Sequence, residues 1–547
     1  MAATSPPVLT EPARAGRHDE PRPAPTRRPT YPMPRWVAWT GYAALGVQWV
    51  FMLVVGTRLY DHFDLTGDFS VYAQAFYLIA HGHLGAPMTV IGPFGFAKNH
   101  LELAMWPLSL LYWLHPSAVD LKWVQETAQV GAELVCFRWV LDVLERHDER
   151  RLPRAALALG FVTLLLVNPG FYLADWFDFH FQALATFFLV LAARDLYNGR
   201  RRRALVWIVL TLLNGDVAAT YVVALGVTAA VTSRPNRRIG AVIAVAGVAW
   251  LEMVSLLGAN IGSNIAGGLG YLATVAPGHP ISMTDVIWGM IRHPSRPLHM
   301  LHLRWRLAFH NLQAGGVIGI LSPWVVFVAL ATSVPNALQL NDVFITFAFQ
   351  NLVVLLLVPV GTVMVLEWLL QRQPRRPAGI RGGGPSHSRP GRAAAVAAGV
   401  LGAFVLVSSL AYSLPKLDGA RHEFAVVPPA AAATLAQARA MIPQDAQVIA
   451  SQGVAGGFAT RQYMSVWWSN LQPFILYGRP VYFVISTAGA QTTPGFVVVA
   501  ARDTVRNQLH ARTLLDRNGV TLLRWTPPRG AVSIQLPVQP GQPQMNP

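Results

Sequence analysis

The sequence predicts a mainly α-helical protein that crosses the membrane many times and carries a small α/β domain towards its C-terminus. Of its 547 residues, 53% are hydrophobic and only 13% are charged, whereas soluble globular proteins carry about 25% charged residues. Because these charged residues are too few to cover a water-exposed surface, a large part of the surface must face lipid. Long apolar runs recur up to residue 413 and then give way to short β-rich runs.

The positive charge is confined to five polar segments, 1–35, 146–154, 198–203, 233–238 and 371–392. They hold 23 of the 43 Lys and Arg residues and five acidic residues, a net charge of +18, so the rest of the chain sums to −2. Short basic loops between apolar runs are typical of cytoplasmic loops. No DNA- or RNA-binding motif accompanies the charge, so we expect anionic lipid rather than nucleic acid as its partner.

The first 35 residues are rich in Pro and Arg and poor in apolar residues, which predicts a disordered cytoplasmic tail. Residues 36–413 form the predicted transmembrane domain, with a first outer loop at 57–116. About eleven apolar runs are candidates to cross the bilayer: 36–56, 121–144, 155–174, 179–197, 204–213, 217–231, 239–258, 299–315, 317–334, 344–370 and 393–413. This arrangement places the N-terminus in the cytoplasm and the C-terminus outside.

Residues 414–530 are predicted to form an extracytoplasmic α/β domain. Short β-rich runs at 447–450, 481–486, 496–501 and 520–525 alternate with helical patterns at 430–441 and 504–518. The proline-rich residues 531–547 are expected to be a loose tail. In the outer loop 57–116, residues 69–81 and 101–114 are expected to be helices at the membrane interface.

Three carboxylates, Asp61, Asp64 and Asp68, follow the first apolar run. Asp68 begins a predicted helix, where the helix dipole favours its charge, and Tyr72 shares its face at i+4. One interpretation is an N-terminal cap. The other is a base at the membrane surface that takes a proton from an acceptor hydroxyl.

Residues 68–77, DFSVYAQAFY, followed by His81 and Gly82, resemble the first outer loop of the membrane-protein family called domain of unknown function 2079. The motifs KNHL at 98–101, NGD at 214–216 and IPQDAQV at 442–448 resemble later family patterns. The chain departs from the family pattern at Ala73, at 214–215 and at 349–350.

That family resembles the GT-C class of glycosyltransferases. The resemblance implies that Asp68 is the general base in transfer of a sugar from a polyprenyl-phosphate donor to a hydroxyl of an extracytoplasmic cell-envelope glycan or protein. It implies no cofactor. The residues expected to contact substrate are Asp61, Asp64, Tyr72, Gln74, Lys98, His100, Asp175, Asp178, His180 and Asp216.

The leaving phosphate needs cations or hydrogen-bond donors. Lys98 and His100 can supply them, as can the outer arginines, for which contact with lipid headgroups is the alternative interpretation. These arginines are Arg292, Arg296, Arg304 and Arg306.

The cluster at 175–180, DWFDFH, is a second polar site among aromatic residues. If this turn is helical, Asp175 and Asp178 lie close together and can bind sugar hydroxyls, with Trp176 and Phe177 as stacking surfaces. A divalent ion held with His180 is an alternative, and so is a solvated loop beside an aromatic belt. We expect no metal ion, because the spacing is not diagnostic.

Polar residues also fall within the apolar runs. Arg138 and Asp142, at i and i+4, are expected to neutralise each other. Glu133 and Asp216 are costly in lipid unless they face water or a partner, and they raise the alternative of a transporter or flippase. The absence of an internal repeat counts against transport, and a non-catalytic protein that binds the cell envelope is a third possibility.

Overall fold

The structure is a computed structural model. It describes residues 32–92, 94–145, 151–257, 268–275, 281–340, 348–371, 391–423, 427–467, 473–489 and 495–536. Most of the predicted tail 1–35, most of the basic loop 371–392 and residues 537–547 lie outside these ranges.

The first 423 residues are mainly helical, and each of the eleven predicted apolar runs contains helix. The helices are α1 (Arg35–Asp61), α2 (Gly67–Ala80), α3 (Ala97–His100), α4 (Met105–Leu108), α5 (Leu111–Leu114), α6 (Val119–Leu144), α7 (Arg151–Leu166), α8 (Pro169–Trp176), α9 (Gln182–Tyr197), α10 (Arg201–Leu212), α11 (Asp216–Thr232), α12 (Arg237–Leu256), α13 (Met283–Arg292), α14 (Ser295–Ala314), α15 (Val326–Leu338), α16 (Ala348–Gln371) and α17 (Gly391–Glu423).

Four helical segments of the described chain are long and apolar enough to cross a membrane. They are Arg35–Asp61, Pro153–Trp176, Phe349–Gln371 and Val396–Asp418. Two shorter apolar helices, Asp216–Thr232 and Val326–Leu338, accompany them. The chain is therefore a helical membrane protein.

A break in the predicted helix 155–174 sets the position of the turn at 177–181, called here the outer turn. The chain leaves helix after Leu166, and α8 begins with Pro169, which has no N–H to continue the hydrogen-bond ladder. The Oδ1 atom of Asn168 accepts a hydrogen bond from the Gly170 N–H at 3.0 Å and caps the new helix. The predicted interfacial helix 101–114 is likewise divided, into α4 and α5.

Two glycines let α1 lie directly against α6. A Cβ atom at Gly41 would lie 2.3 Å from the Phe137 ring, and one at Gly56 would lie 1.7 Å from Glu126 Oε1. Both distances are far below van der Waals contact, so a larger residue at either position would have to displace the Phe137 ring or the Glu126 carboxyl group.

Arginine–carboxylate pairs mark the end of the bundle that bears the basic loops. The predicted pair of Arg138 and Asp142 is confirmed, with 3.3 Å between Arg138 Nε and Asp142 Oδ1. Arg194 Nη2 lies 2.8 Å from the same carboxylate. Asp195 Oδ2 lies 3.3 Å from the Nε atom of Arg203, in the first turn of α10.

The C-terminal part contains a mixed sheet. Its elements are α18 (Pro429–Met441), β3 (Gln447–Ser451), β4 (Met464–Trp467), β5 (Phe474–Ile475), β6 (Val481–Ser486), α19 (Gly495–Asp503), β7 (Arg512–Arg517), β8 (Val520–Trp525) and β9 (Ser533–Ile534); a small ribbon of β1 (Pro87–Met88) and β2 (Phe94–Gly95) lies in the outer loop. The strand order is β4-β3-β6-β8-β7, with β3 parallel to both neighbours and β8 antiparallel to both of its own.

Two secondary-structure predictions in this part are wrong. Residues 496–501 form part of helix α19 rather than a strand, because Val497, Val498 and Ala501 are buried at helical spacing. Residues 504–518 end in strand β7 rather than continuing a helix. Asn518 and Gly519, with φ of 52° and 75°, form the tight turn that joins β7 to β8.

Two boundaries also differ from the sequence prediction. Helix α17 continues to Glu423, ten residues beyond the apolar run that ends at 413. At the other end, Ser533–Ile534 pairs antiparallel with Phe474–Ile475, although a loose tail is predicted from residue 531. Backbone pairing, which composition does not report, orders these residues.

The C-terminal part packs on the outer loop. The Gly456 N–H donates to the Leu65 carbonyl at 3.1 Å, and the rings of Phe63 and Phe458 lie 5.5 Å apart. Gly457 lies directly under the Phe63 ring, where a Cβ would be 2.2 Å from it. One continuous hydrophobic core therefore joins the helical bundle, the outer loop and the sheet.

Candidate functional site

Helix α2 is capped by a carboxylate from a distant part of the chain. The backbone N–H and the hydroxyl of Thr66 donate to Asp178, at 2.8 Å to Oδ1 and 2.5 Å to Oδ2. The Phe69 N–H also bonds this carboxylate. The first N–H groups of a helix have no internal partner, so Asp178 both satisfies them and fastens α2 to the outer turn 177–181.

Asp68 lies in the first turn of α2, beside this cap. Its side chain is partly exposed and has no hydrogen-bond partner among the described residues. Burial, followed by the nearby carboxylate of Asp178, raises the pKa of Asp68 to about 7, and His100 opposes this rise. Asp68 is thus a carboxyl group that changes charge near neutral pH.

His100, Glu102 and Asp216 form the rest of the cluster. His100 Nδ1 lies 3.3 Å from Asp216 Oδ1, and the Tyr72 hydroxyl donates to Glu102 Oε1 at 3.3 Å. A Cβ at Gly215 would lie 3.0 Å from both Glu102 Cγ and the His100 carbonyl oxygen. Only glycine lets the 213–216 turn approach so closely, and its φ of 103° also favours glycine.

The charges of this cluster depend on one another. Burial alone would lower the pKa of His100, but the hydrogen bond and charge of Asp216, together with the charges of Glu102 and Asp68, outweigh burial and raise that pKa to about 9. Burial raises the pKa of Glu102 to about 8, against the opposing effect of His100. At neutral pH the imidazole is therefore cationic and Glu102 is neutral.

Aromatic rings form the wall behind Asp68. The Tyr72 ring contacts those of Phe179 and His180 edge-on, with centroids 5.2 and 5.8 Å apart. His180 in turn stacks on Phe349 of α16 at 3.8 Å, and its backbone N–H donates to Gln125 Oε1 at 2.6 Å. His180 is buried and belongs to this wall.

Other residues predicted to contact substrate lie outside the cluster. Asp61 is exposed at the end of α1, and Lys98 is exposed on α3. Asp64 accepts a hydrogen bond from the Val427 N–H, at the start of the sheet region; burial raises its pKa to about 6.

Gln74 lies on α2 and is completely buried where this helix meets the C-terminal part. Its Nε2 donates to Thr89 Oγ1 at 2.9 Å and to the Gln462 carbonyl at 3.0 Å. Its Oε1 accepts from the N–H groups of Thr89 and Val90 at 2.9 and 3.1 Å. Gln74 thus joins the helix that carries Asp68 to the C-terminal part.

Asp175 and Asp178 do not lie together, because helix α8 ends at Trp176 between them. The Asp175 side chain is buried against Glu126 of α6. Lys122 Nζ donates to the Asp175 and Phe177 carbonyls at 2.5 and 2.9 Å and so caps the C-terminus of α8. In the described part of the chain, no three His, Cys, Asp or Glu side chains are arranged to hold a metal ion.

Sequence reasoning missed three buried charged residues. Glu102 belongs to the Asp68 cluster, and Lys122 and Glu126 lie below the outer turn; all three are at most 2% exposed. Glu102 follows His100 by two residues, which alone would not put both on one face. The left-handed backbone of Leu101, with φ 52°, reverses the chain between them and brings both into the cluster.

The membrane part also has a groove open to the side. It has a volume of about 610 Å³ and lies between α1, the α7–α8 break and α17. Its lining is apolar except for Gln48 and the polar ends of Tyr172 and Trp176. Trp176 precedes the outer turn, so the groove reaches from the middle of α1 towards that turn.

These features define a class: a helical membrane protein with a cluster of carboxylates at one end of its bundle and a small mixed-sheet region packed on residues 63–65 and on helix α2. The chain belongs to the family described as DUF2079, predicted membrane protein, whose model matches residues 59–522. The match includes α2, the 213–216 turn and most of the sheet region.

Comparison with solved structures found a likeness to the crystal structure of ArnT from Cupriavidus metallidurans in the apo state. The sequences are 14% identical, the alignment covers 88% of this chain and 98% of that chain, and the TM-score is 0.39. Comparison with curated proteins found no match.

Proposed function

We propose that the protein is a membrane glycosyltransferase of the GT-C type, with Asp68 as its general base. It moves a sugar from a polyprenyl-phosphate donor to a hydroxyl of an extracytoplasmic acceptor. A single direct displacement inverts the anomeric carbon. The resemblance of residues 68–77 to the first outer loop of the family, and of residues 98–101 to a later family pattern, supports this proposal.

One observation carries the proposal. Of the four clustered carboxylates, Asp178 is engaged by Thr66, Glu102 by Tyr72, and Asp216 by His100 and by the Val217 N–H. Asp68 alone is partly exposed without a hydrogen-bond partner among the described residues. A carboxylate that titrates near neutral pH is suited to accept a proton from a hydroxyl.

The neighbouring cations suit a phosphate leaving group. His100 is cationic at neutral pH for the reason given above, and Lys98 is exposed two residues earlier on the same short helix. Both lie on the outer loop, which a lipid carrier would reach from the bilayer. Arg296 and Arg304 donate to the carbonyls of Tyr271 and Leu340, so we assign them to packing of α14.

The basic loops support the orientation. The basic segments 198–203 and 233–238, which the structure describes, lie at the end of the bundle opposite the Asp68 cluster, and basic segments of this kind favour the cytoplasm. On this basis the N-terminus is cytoplasmic, and the cluster and the sheet region are extracytoplasmic.

The experiment compares cell-envelope glycans and lipid-linked sugar pools in a deletion strain that expresses wild-type protein, Asp68→Asn or Asp61→Asn. We expect Asp68→Asn to match the deletion strain while the protein remains inserted, and the exposed control Asp61→Asn to match wild type. With purified protein, transfer should rise with pH through about 7, as Asp68 ionises. A wild-type glycan profile in the Asp68→Asn strain would refute the assignment.

A transporter or flippase is the second candidate, and buried Glu126 and Glu133 on α6 are the observation in its favour. Beyond Glu133, towards the basic end, the buried side chains of α6 are apolar, including Phe137 and Trp139. The polar row thus reaches only part of the way through the bundle. Unchanged glycans together with loss of solute or lipid movement in Glu133→Ala would favour this candidate.

A further inference from the structure

A row of buried polar side chains runs along one face of α6. Lys122, Glu126, Gln129 and Glu133 follow one another at intervals of three or four residues, and each is at most 1% exposed. Asp175 of α8 faces the upper end of the row, and Gln48 of α1 faces its lower end. The proposed transfer reaction does not use this row.

The row has more acceptor oxygens than donors. Six side-chain oxygens have no donor among the described residues: both of Glu126, both of Asp175, Oε1 of Gln129 and Oε2 of Glu133. The local donors are directed elsewhere. Lys122 Nζ bonds main-chain carbonyls, and Gln129 Nε2 donates to the Phe171 carbonyl at 3.1 Å. Buried acceptors without donors are costly.

The groups that carry these oxygens lie in two pairs. The carboxyl groups of Glu126 and Asp175 lie within hydrogen-bonding reach of each other, and so do the Glu133 carboxyl and the Gln129 amide. Two acceptor oxygens can form a hydrogen bond only if one of them carries a proton.

Charge balance indicates that this row holds two protons, one for each pair. Lys122 contributes one positive charge, whereas three ionised carboxylates would contribute three negative charges inside the membrane. One proton shared by Glu126 and Asp175 and one on Glu133 make the row neutral. The other titratable neighbours among the described residues are Asp178 and His180, close to Lys122, and Tyr172 and Cys136, close to Glu133. The Tyr172 hydroxyl donates to the Leu166 carbonyl at 2.8 Å, and Asp178 accepts hydrogen bonds from Thr66.

We propose that this row is an intramembrane proton-binding site that holds two protons at neutral pH, one between Glu126 and Asp175 and one on Glu133, donated to Gln129 Oε1. Its upper end adjoins the outer turn through Asp175. Its lower end adjoins the lateral groove through Gln48, whose Nε2 lies 3.5 Å from Glu133 Oε1. The inference is independent of the proposed transfer activity.

The test is infrared spectroscopy of the purified full-length protein in H₂O and after equilibration in D₂O at neutral pH. A protonated carboxyl group has a C=O band that is distinct from carboxylate bands and shifts on deuteration. We expect Glu126→Gln and Glu133→Gln each to lack one such band. The lost band is then a negative band in the variant-minus-wild-type difference spectrum. Asp142→Asn is the matched control and should remove only carboxylate bands, because Arg138 and Arg194 pair with Asp142.

Three results would overturn the proposal. One is a difference spectrum in which neither glutamine variant loses a protonated-carboxyl band. Another is stabilisation of the wild type by NaCl but not by choline chloride, abolished in Glu133→Gln, which would make Na⁺ the ligand. The third is failure of Glu133→Gln to fold, since glutamine reproduces the neutral acid in shape and as a donor.

Discussion

The carboxylates at the two ends of the helical bundle have opposite electrostatic surroundings. At the basic end, Asp142 lies between Arg138 and Arg194. At the other end, Asp68, Glu102 and Asp216 lie around His100, and Asp178 lies beside Asp68. No Lys or Arg among the described residues forms an ion pair with these four carboxylates.

This difference separates carboxylates that stabilise helix packing from carboxylates that are available for a reaction. Paired charges largely cancel, so the basic-end pairs orient helices and loops at little cost. A group of carboxylates with one cation raises its own energy, and only the surrounding fold holds it together. Such clusters are concentrated at functional sites, so the unpaired end is where we expect the reaction.

The largest expected effect comes from exchanging one carboxylate at each end for asparagine. Asp68→Asn should lower transfer by about 10²–10⁴-fold, the usual contribution of a general base, with an unchanged or higher melting temperature because a desolvated charge is removed. Asp142→Asn should retain transfer and lose about 1–3 kcal/mol of stability through weakened charged hydrogen bonds.

Transfer assays and thermal unfolding of the same purified variants measure both effects. Equal losses of stability in Asp68→Asn and Asp142→Asn would remove the distinction between the two ends.

The sequence predicts a contact at either end only when the two residues are close together along the chain. Arg138 and Asp142 are four residues apart on one helix, so their pair is predictable from spacing. His100 and Asp216 are 116 residues apart, and the sequence marks both as polar without placing them together. Apolar runs likewise predict the helices, because hydropathy is a local property.

The remaining errors have other causes. The cap of Asp178 on Thr66 spans 112 residues, so helical spacing wrongly suggested a pair with Asp175. Glu102 was missed because a single left-handed residue, Leu101, overrides the period of the helix. The Asn518–Gly519 turn was a usable signal for the β7–β8 hairpin that the helical interpretation of 504–518 overlooked.

The second prediction tests whether the sheet region keeps Asp68 in place. Gln74→Ala removes hydrogen bonds that join α2 to Thr89 and Gln462 and leaves buried backbone groups without partners. We expect a loss of about 2–3 kcal/mol in stability, together with reduced transfer. Gln444→Ala, which loses one exposed bond to the Thr460 carbonyl at 2.6 Å, is the control.

Hydrogen exchange of α2 measures the effect directly. We expect faster exchange in Gln74→Ala only around α2 and the sheet, with the basic end protected as in the wild type. Uniform acceleration would mean that the two ends are not separable units.

The third prediction compares glycines along α1. Gly56→Ala pushes against Glu126, and Gly41→Ala pushes against Phe137; each should cost about 1–2 kcal/mol by overpacking. Gly46→Ala meets no atom within 4 Å and should be neutral. Only Gly56→Ala should also alter the protonated-carboxyl bands, because Glu126 is displaced. Denaturation midpoints and infrared spectra check both parts, and a costly Gly46→Ala would contradict the packing argument.

The last prediction is a pH dependence of stability that arises at the Asp68 end. The pKa of Glu102 rises from 4.5 to about 8 on folding, mainly through burial. That of His100 rises from 6.5 to about 9, because Asp216, with the charges of Glu102 and Asp68, outweighs burial. In both cases the folded protein binds a proton more tightly than the unfolded chain, so stability falls as pH rises.

The two residues act in different pH windows. The Glu102 contribution declines between about pH 4.5 and 8, and the His100 contribution, complete below about pH 6.5, is lost as pH rises through about 9. In melting curves across this range, His100→Gln should therefore flatten the slope on the alkaline side and Glu102→Gln on the acidic side. Asp142→Asn should leave the slope intact, because its partners are arginines that stay protonated throughout. A slope that survives both cluster variants but disappears in Asp142→Asn would place the titrating groups at the basic end and reverse the comparison.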